Sequence, residues 1–218
     1  MNFHVARWCV LAVSLAGSSI PAIAAADTPD PSISDFSQAQ ESRTPPETVA
    51  SWIYHNGVFS WPGDWSGDVV TLNYHDTIGD PGTEDLSVHV NSPWGFWLPY
   101  CPQVGPDIDG YKVPSCNVSS YSGITMELKA TIAGQKWSLT IFKYNIVNGV
   151  LKDDTVVGGV DDLTPYGGPA KVGHFVTYTV PLSDMKASGL KTMYKFMLQD
   201  QSGKTGQTWY VNHVGFVE

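Results

Sequence analysis

Basic residues are scarce in this chain, with 12 Lys and Arg against 21 Asp and Glu and a formal charge of −9. They never gather into a run, so the electrostatic footprint of a nucleic-acid binder is missing. Past residue 26 no stretch approaches the roughly 20 consecutive apolar residues of a membrane span. No long apolar pattern of period 3.6 appears either, which argues against a helical bundle. There is no Gly-x-Ser-x-Gly elbow, no His-Glu-x-x-His pair, no phosphate loop and no EF-hand loop, so the common hydrolase, zinc-protease, nucleotide and calcium-sensor chemistries lack their signatures. Cysteine is limited to three residues, too few for a disulfide framework.

What is present begins with a leader. Arg7 precedes an apolar run over 8–20 and then Ala22, Ile23, Ala24, Ala25 and Ala26, the pattern of a secretory signal peptide over 1–26. Cleavage after Ala24 or Ala26 predicts a soluble exported monomer, extracellular or, in a Gram-negative cell, periplasmic. Cys9 leaves with the leader. Cys101 and Cys116 remain and, in an oxidising compartment, are expected to form one disulfide contributing about 3 kcal/mol. Residues 27–47 carry mainly Pro, Ser, Asp and Gln, with Ile33 and Phe36 the only sizeable apolar groups, and are expected to be a disordered arm or linker. Residues 48–218 suit one domain.

Inside that domain, alternation of period two predicts strands over 69–74, 86–90, 124–132, 137–144, 174–181, 192–199 and 208–217. Gly and Pro pairs between runs, including Gly158 with Gly159 and Gly167 with Gly168, predict turns. One helical turn is expected over 183–187. Many short strands with such loops predict an all-β fold, a two-sheet antiparallel β-sandwich of the jelly-roll kind.

Aromatics form the first candidate site: Trp61 and Trp65, then Trp94, Trp97 and Tyr100 leading into Cys101. Sugar rings present C–H faces that stack on aromatic rings, while their hydroxyls need amides and carboxylates close by. Core packing competes for each tryptophan, but Pro93, Gly95 and Pro99 around Trp94 and Trp97 predict a surface loop. Gln199, Asp200 and Gln201 form the second group, at a strand end where hydroxyl recognition and turn closure both fit. Glycoside hydrolysis would need two facing carboxylates, for which Glu127 and Asp200 are the candidates. Glu127 shares a strand face with Lys129, which favours a solvated or ion-paired role. No cofactor is required, although Asp68, Asp76, Asp80, Asp107 and Asp109 leave room for calcium in loops.

The ending Tyr210, Val211, Asn212, His213, Val214, Gly215, Phe216 resembles the last strand of secreted jelly-roll carbohydrate-binding modules, a galactose-binding-like sandwich. That strand usually reads aromatic-Val-Asp-Asn-Ile-Gly-Phe, and Asn212 stands here where the family has Asp. Residues 194–203 and 173–182 support the resemblance, which spans about 53–216. It implies a secreted protein binding neutral polysaccharide of the plant-cell-wall type by aromatic stacking and amide hydrogen bonds, with Asn212 in the site. A small glycan-active enzyme, hydrolase or lyase, on the same sandwich is the alternative. A structural or host-interaction surface protein is the third.

Overall fold

A computed structural model describes residues 49–218 apart from 62, 65, 81, 103, 104 and 109. The expected leader over 1–26, the arm over 27–47 and Trp65 therefore lie outside the described residues. In chain order the strands are β1 (Val49–His55), β2 (Val58–Phe59), β3 (Gly63–Asp64), β4 (Val70–Asp76), β5 (Asp85–Val90) and β6 (Phe96–Trp97). There follow β7 (Pro99–Tyr100), β8 (Asp107–Ile108), β9 (Tyr111–Lys112), β10 (Cys116–Asn117), β11 (Gly123–Lys129) and β12 (Trp137–Val147). The last five are β13 (Val150–Val160), β14 (Phe175–Pro181), β15 (Thr192–Met193), β16 (Lys195–Asp200) and β17 (Thr208–Val217).

Thirteen of these strands build two main antiparallel sheets, as the alternation predicts, and β8–β9 and β10–β15 form two short ribbons beside them. The first runs β14-β11-β17-β1-β2, and the other half of β17 pairs β5, which carries β4. The second runs β13-β12-β16-β7-β3, with β6 also on β16. Apolar residues at every second position turn inward. Trp137, Leu139 and Ile141 of β12 and Phe196 and Leu198 of β16 meet Ile124, Met126 and Leu128 of β11 in one core. Ring pairs stitch the sheets together: Trp137 lies 5.9 Å from Trp209 and 6.0 Å from Tyr178, and Tyr54 meets Trp97 edge-on at 6.5 Å. Burial pushes the Tyr178 hydroxyl up to about 12, helped by the nearby Asp162 charge, so it stays protonated in the core.

Two local readings are corrected. Gly158 and Gly159 lie inside β13, paired with Ile141 and Thr140, not in a turn. A Cβ on Gly158 would run into the Met185 carbonyl and one on Gly159 into the Leu139 carbonyl, so glycine is there for close backbone approach. The reversal comes earlier, at Asn148 (φ 53°) and Gly149 (φ 75°), the Asn-Gly pair that a two-residue hairpin prefers. Residues 183–187 form the single turn expected of them, with Met185 N–H donating to Pro181 O at 3.3 Å and Ala187 N–H to Leu182 O at 2.8 Å. Strand β17 holds a bulge opposite β11: Glu127 faces His213 while Leu128 faces Val211. The extra residue, Asn212, switches which face each side chain meets, so Val214 joins Trp209 and Val211 in the core.

A disulfide joins Cys101 to Cys116, with Cα atoms 5.6 Å apart. Cys101 is fully buried, and its loop carries the short β8–β9 hairpin.

Candidate functional site

With Trp137, Leu139 and Ile141 turned into the core, the intervening residues of β12 point away from it. These are Ser138, Thr140, Phe142 and Tyr144. On β16 the same logic turns Lys195, Met197 and Gln199 outward. Register extends the surface to the neighbours: Phe96 pairs Gln199, Tyr100 pairs Lys195 and Val156 pairs Phe142. The outward face of the second sheet thus carries Phe96, Tyr100, Phe142 and Tyr144, all partly exposed, with polar groups between them.

The polar groups are held in place. Gln201 Nε2 donates to Ser138 Oγ at 2.6 Å and to Gln199 Oε1 at 3.0 Å, and Gln199 Nε2 donates to the Trp94 carbonyl at 3.0 Å. This ladder of amides crosses from β12 over β16 to the loop before β6. Toward the other end, Lys195 is buried with its ammonium 5.1 Å from the Phe142 ring and 5.0 Å from the Tyr194 ring. Tyr194 in turn stacks on Tyr144 at 3.8 Å, beside a cavity of about 200 Å³ that both line with Lys143, Ile146 and Pro106.

Trp94 stands at the edge of this face, 50% exposed, with φ 65°. A bulky residue in the left-handed region is a conformational outlier. Its ring lies beside Gly203, so the turn after β16 supports it from below.

Other predicted site residues land elsewhere. Trp97 is 0% exposed because its register partner on β16 is Leu198, a core residue, and its indole N–H donates to the Tyr74 hydroxyl at 3.2 Å. The loop-like Pro and Gly around it mark two short paired strands rather than an open loop, and the expected exposure of Trp97 is corrected. Trp61 is buried against Phe196 and Phe216. Asn212 is buried in the first sheet at the bulge, so it does not share a face with Gln199. Tyr100, Gln199 and Gln201 do lie on the outward face.

Both carboxylate candidates are enclosed. Asp200 is 0% exposed and closes the turn that follows it, accepting from Ser202 N–H at 2.7 Å, Ser202 Oγ at 3.0 Å and Gln135 and Gln207 side-chain amides. Glu127 lies on the outward face of the first sheet, its Oε2 3.4 Å from His213 Nδ1 with both side chains buried. Trp52 stacks on His55 at 4.5 Å and meets His213 edge-on at 5.2 Å beside this pair. Burial holds the His55 imidazole below its ordinary range. Glu127 and Asp200 thus sit on different sheets. Among the loop aspartates, Asp76 and Asp107 accept from the backbone N–H groups of Ile78 and Gly110, and Asp109 lies outside the described residues. Among the described residues no group of three His, Cys, Asp or Glu side chains could hold a metal ion, and no helix is long and apolar enough to cross a membrane.

Phe142, Tyr144, Ser138 and Lys195 did not stand out as site residues in the sequence. The signal for them was the alternation along 137–144, which marks one face of that strand as polar and aromatic once the other is assigned to the core.

No protein-family model matches the chain, and no curated protein matches it in sequence. Among solved structures it is similar to the family 11 carbohydrate-binding module of the cellulosomal cellulase Lic26A-Cel5E of Clostridium thermocellum. That match has 17% identity over 80% of this chain and 96% of the other, with a TM-score of 0.46. A family 30 carbohydrate-binding module matches at 13% identity over 77% and 98% of the two chains, TM-score 0.48. A xylan-binding domain of family 22 matches at 12% identity over 79% and 96%, TM-score 0.40.

Proposed function

We propose that this protein is exported and binds a neutral, extended polysaccharide of the plant-cell-wall type across the outward face of its second sheet. One observation carries the reading: Phe96, Tyr100, Phe142 and Tyr144 share that face with the hydrogen-bonded Ser138–Gln201–Gln199 ladder. Rings stack on the C–H faces of sugars, and side-chain amides offer donors and acceptors to their hydroxyls. The ladder fixes the amides before a ligand arrives, so little side-chain entropy is lost on binding. Gln201 Oε1 accepts from no other described residue and is free to take a sugar hydroxyl.

Charge points the same way. At −9 overall, and with Lys195 buried between rings, the face gives a polyanion little to bind. The described outward side chains of β6, β7, β12 and β16 include no carboxylate, and Asp200 and Glu127 cannot form the facing pair that glycoside hydrolysis needs. Capture without turnover is the function this chemistry supports.

A glycan array run beside a reducing-sugar assay on the same panel tests the proposal. Retention on xylan, β-glucan or soluble cellulose without new reducing ends is expected. Release of reducing ends, or no retention on any neutral polysaccharide, overturns it.

A further inference from the structure

A second cavity lies away from this face, beside the disulfide. It measures about 320 Å³ and is lined by Ser51 and Trp52 of β1, Ser60, Cys116 and Asn117 of β10, and Tyr121, over a floor of Trp61 and Phe216. It shares none of that face's side chains and only Ser115 with the cavity beside Tyr144 and Tyr194. That volume is near the lower end of the roughly 300–1,000 Å³ typical of small-molecule sites, sized for a single ring rather than a chain.

Three features of the lining narrow the ligand class. No lining residue is Asp, Glu, Lys, Arg or His, so a charged ligand would find no counter-ion. The walls alternate aromatic rings with the Ser51, Ser60 and Ser115 hydroxyls, none of which bonds another described residue. Asn117 adds an amide already oriented, its Oδ1 accepting from Ser119 N–H at 3.0 Å and Ser119 Oγ at 2.7 Å, which leaves Nδ2 to donate. The rings are rigid as well. Trp52 is backed by His55 at 4.5 Å and Tyr121 is stacked on Phe216 at 4.8 Å, and the disulfide ties Cys116 to the buried Cys101.

We infer that this cavity is a second carbohydrate site, taking one neutral sugar ring, either free or at the end of a glycan. The ring stacks against Trp52 or Tyr121 while the serine hydroxyls and the Asn117 amide engage its hydroxyls. The site works independently of the sheet face.

The test is a 1H–15N NMR titration of the protein with the methyl glycosides of glucose, galactose, mannose and xylose. Saturable shifts at Asn117, Tyr121 and the Trp52 indole are expected with at least one of the four. A short oligosaccharide ending in the same sugar then distinguishes free-sugar from chain-end recognition, binding more tightly if the chain end is the ligand. Trp52→Ala should weaken the interaction about tenfold. Because Trp52 is partly buried, Ser60→Trp at an exposed position is the second variant, filling the cavity without disturbing the core. The inference is overturned if none of the four glycosides shifts these residues, or if Ser60→Trp binds like the wild type. Failure of the sheet-face reading shows separately, as absent polysaccharide retention with glycoside binding intact.

Discussion

Replacing Trp94 by glycine and by alanine tests backbone and binding together. At φ 65° the residue occupies the left-handed region, which costs an L-residue about 1–2 kcal/mol and glycine almost nothing. The indole is half exposed. Taking a tryptophan as burying about 200 Å² when fully covered, the half-covered ring hides about 100 Å², worth at most about 2.5 kcal/mol at 25 cal/mol/Å². Both variants forfeit that term, so it cancels between them and the backbone remains. Trp94→Gly should therefore be more stable than Trp94→Ala by about 1 kcal/mol, the reverse of the usual order, in which alanine exceeds glycine by about 0.5–1 kcal/mol. Urea unfolding followed by fluorescence measures the difference. Affinity electrophoresis on xylan, β-glucan and soluble cellulose should show both variants weakened by about 1–3 kcal/mol, a factor of about 5–150. An alanine variant as stable as the glycine variant would refute the strained-backbone argument, and undiminished retention would remove Trp94 from the binding face.

Serine at both Cys101 and Cys116 should lower stability by about 2–4 kcal/mol in thermal melts, and the wild type should show no alkylatable thiol at either position under oxidising conditions. Asp200→Ala should cost about 2–4 kcal/mol in urea, because it strands the Ser202, Gln135 and Gln207 donors, and unchanged stability would contradict a role in closing the turn. His55 is held below its ordinary range by burial, so the unfolded chain binds its proton first as the pH falls. Its contribution is complete above the unfolded value of about 6.5 and is lost as pH drops through the folded one, so His55→Gln should flatten the wild-type loss of stability as the pH falls below about 6.5. Deleting residues 27–47 should leave the melting temperature and polysaccharide retention unchanged, and a large drop in either would show that this segment contributes to the fold or the site.

The sandwich was legible because several long strands show plain alternation: Leu86, Val88 and Val90, Ile124, Met126 and Leu128, and Trp137, Leu139 and Ile141 each place core residues at every second position. The failures share one physical cause, interactions between segments distant in sequence. Gly158 and Gly159 look like a turn until the Met185 and Leu139 carbonyls are known to press on them. Trp97 looks like a loop residue until pairing with Leu198 turns it inward. The bulge at Asn212 is invisible to a strict period of two, and it moves a candidate ligand residue into the interior. The proposed face was legible in part. Gln199, Gln201, Trp94 and Tyr100 were read from the sequence, but the strand that supplies Phe142 and Tyr144 is brought beside them only by the β12–β16 pairing.

The most direct measurement is an NMR titration of the isotope-labelled protein with a soluble mixed-linkage β-glucan oligosaccharide. Saturable shifts at the side-chain amides of Gln199 and Gln201 and along β12 from Ser138 to Tyr144 are the predicted result. Saturable shifts confined to the first sheet around Glu127 and His213, or none with any of β-glucan, xylan or cellulose oligosaccharides, would contradict glycan capture on the second sheet.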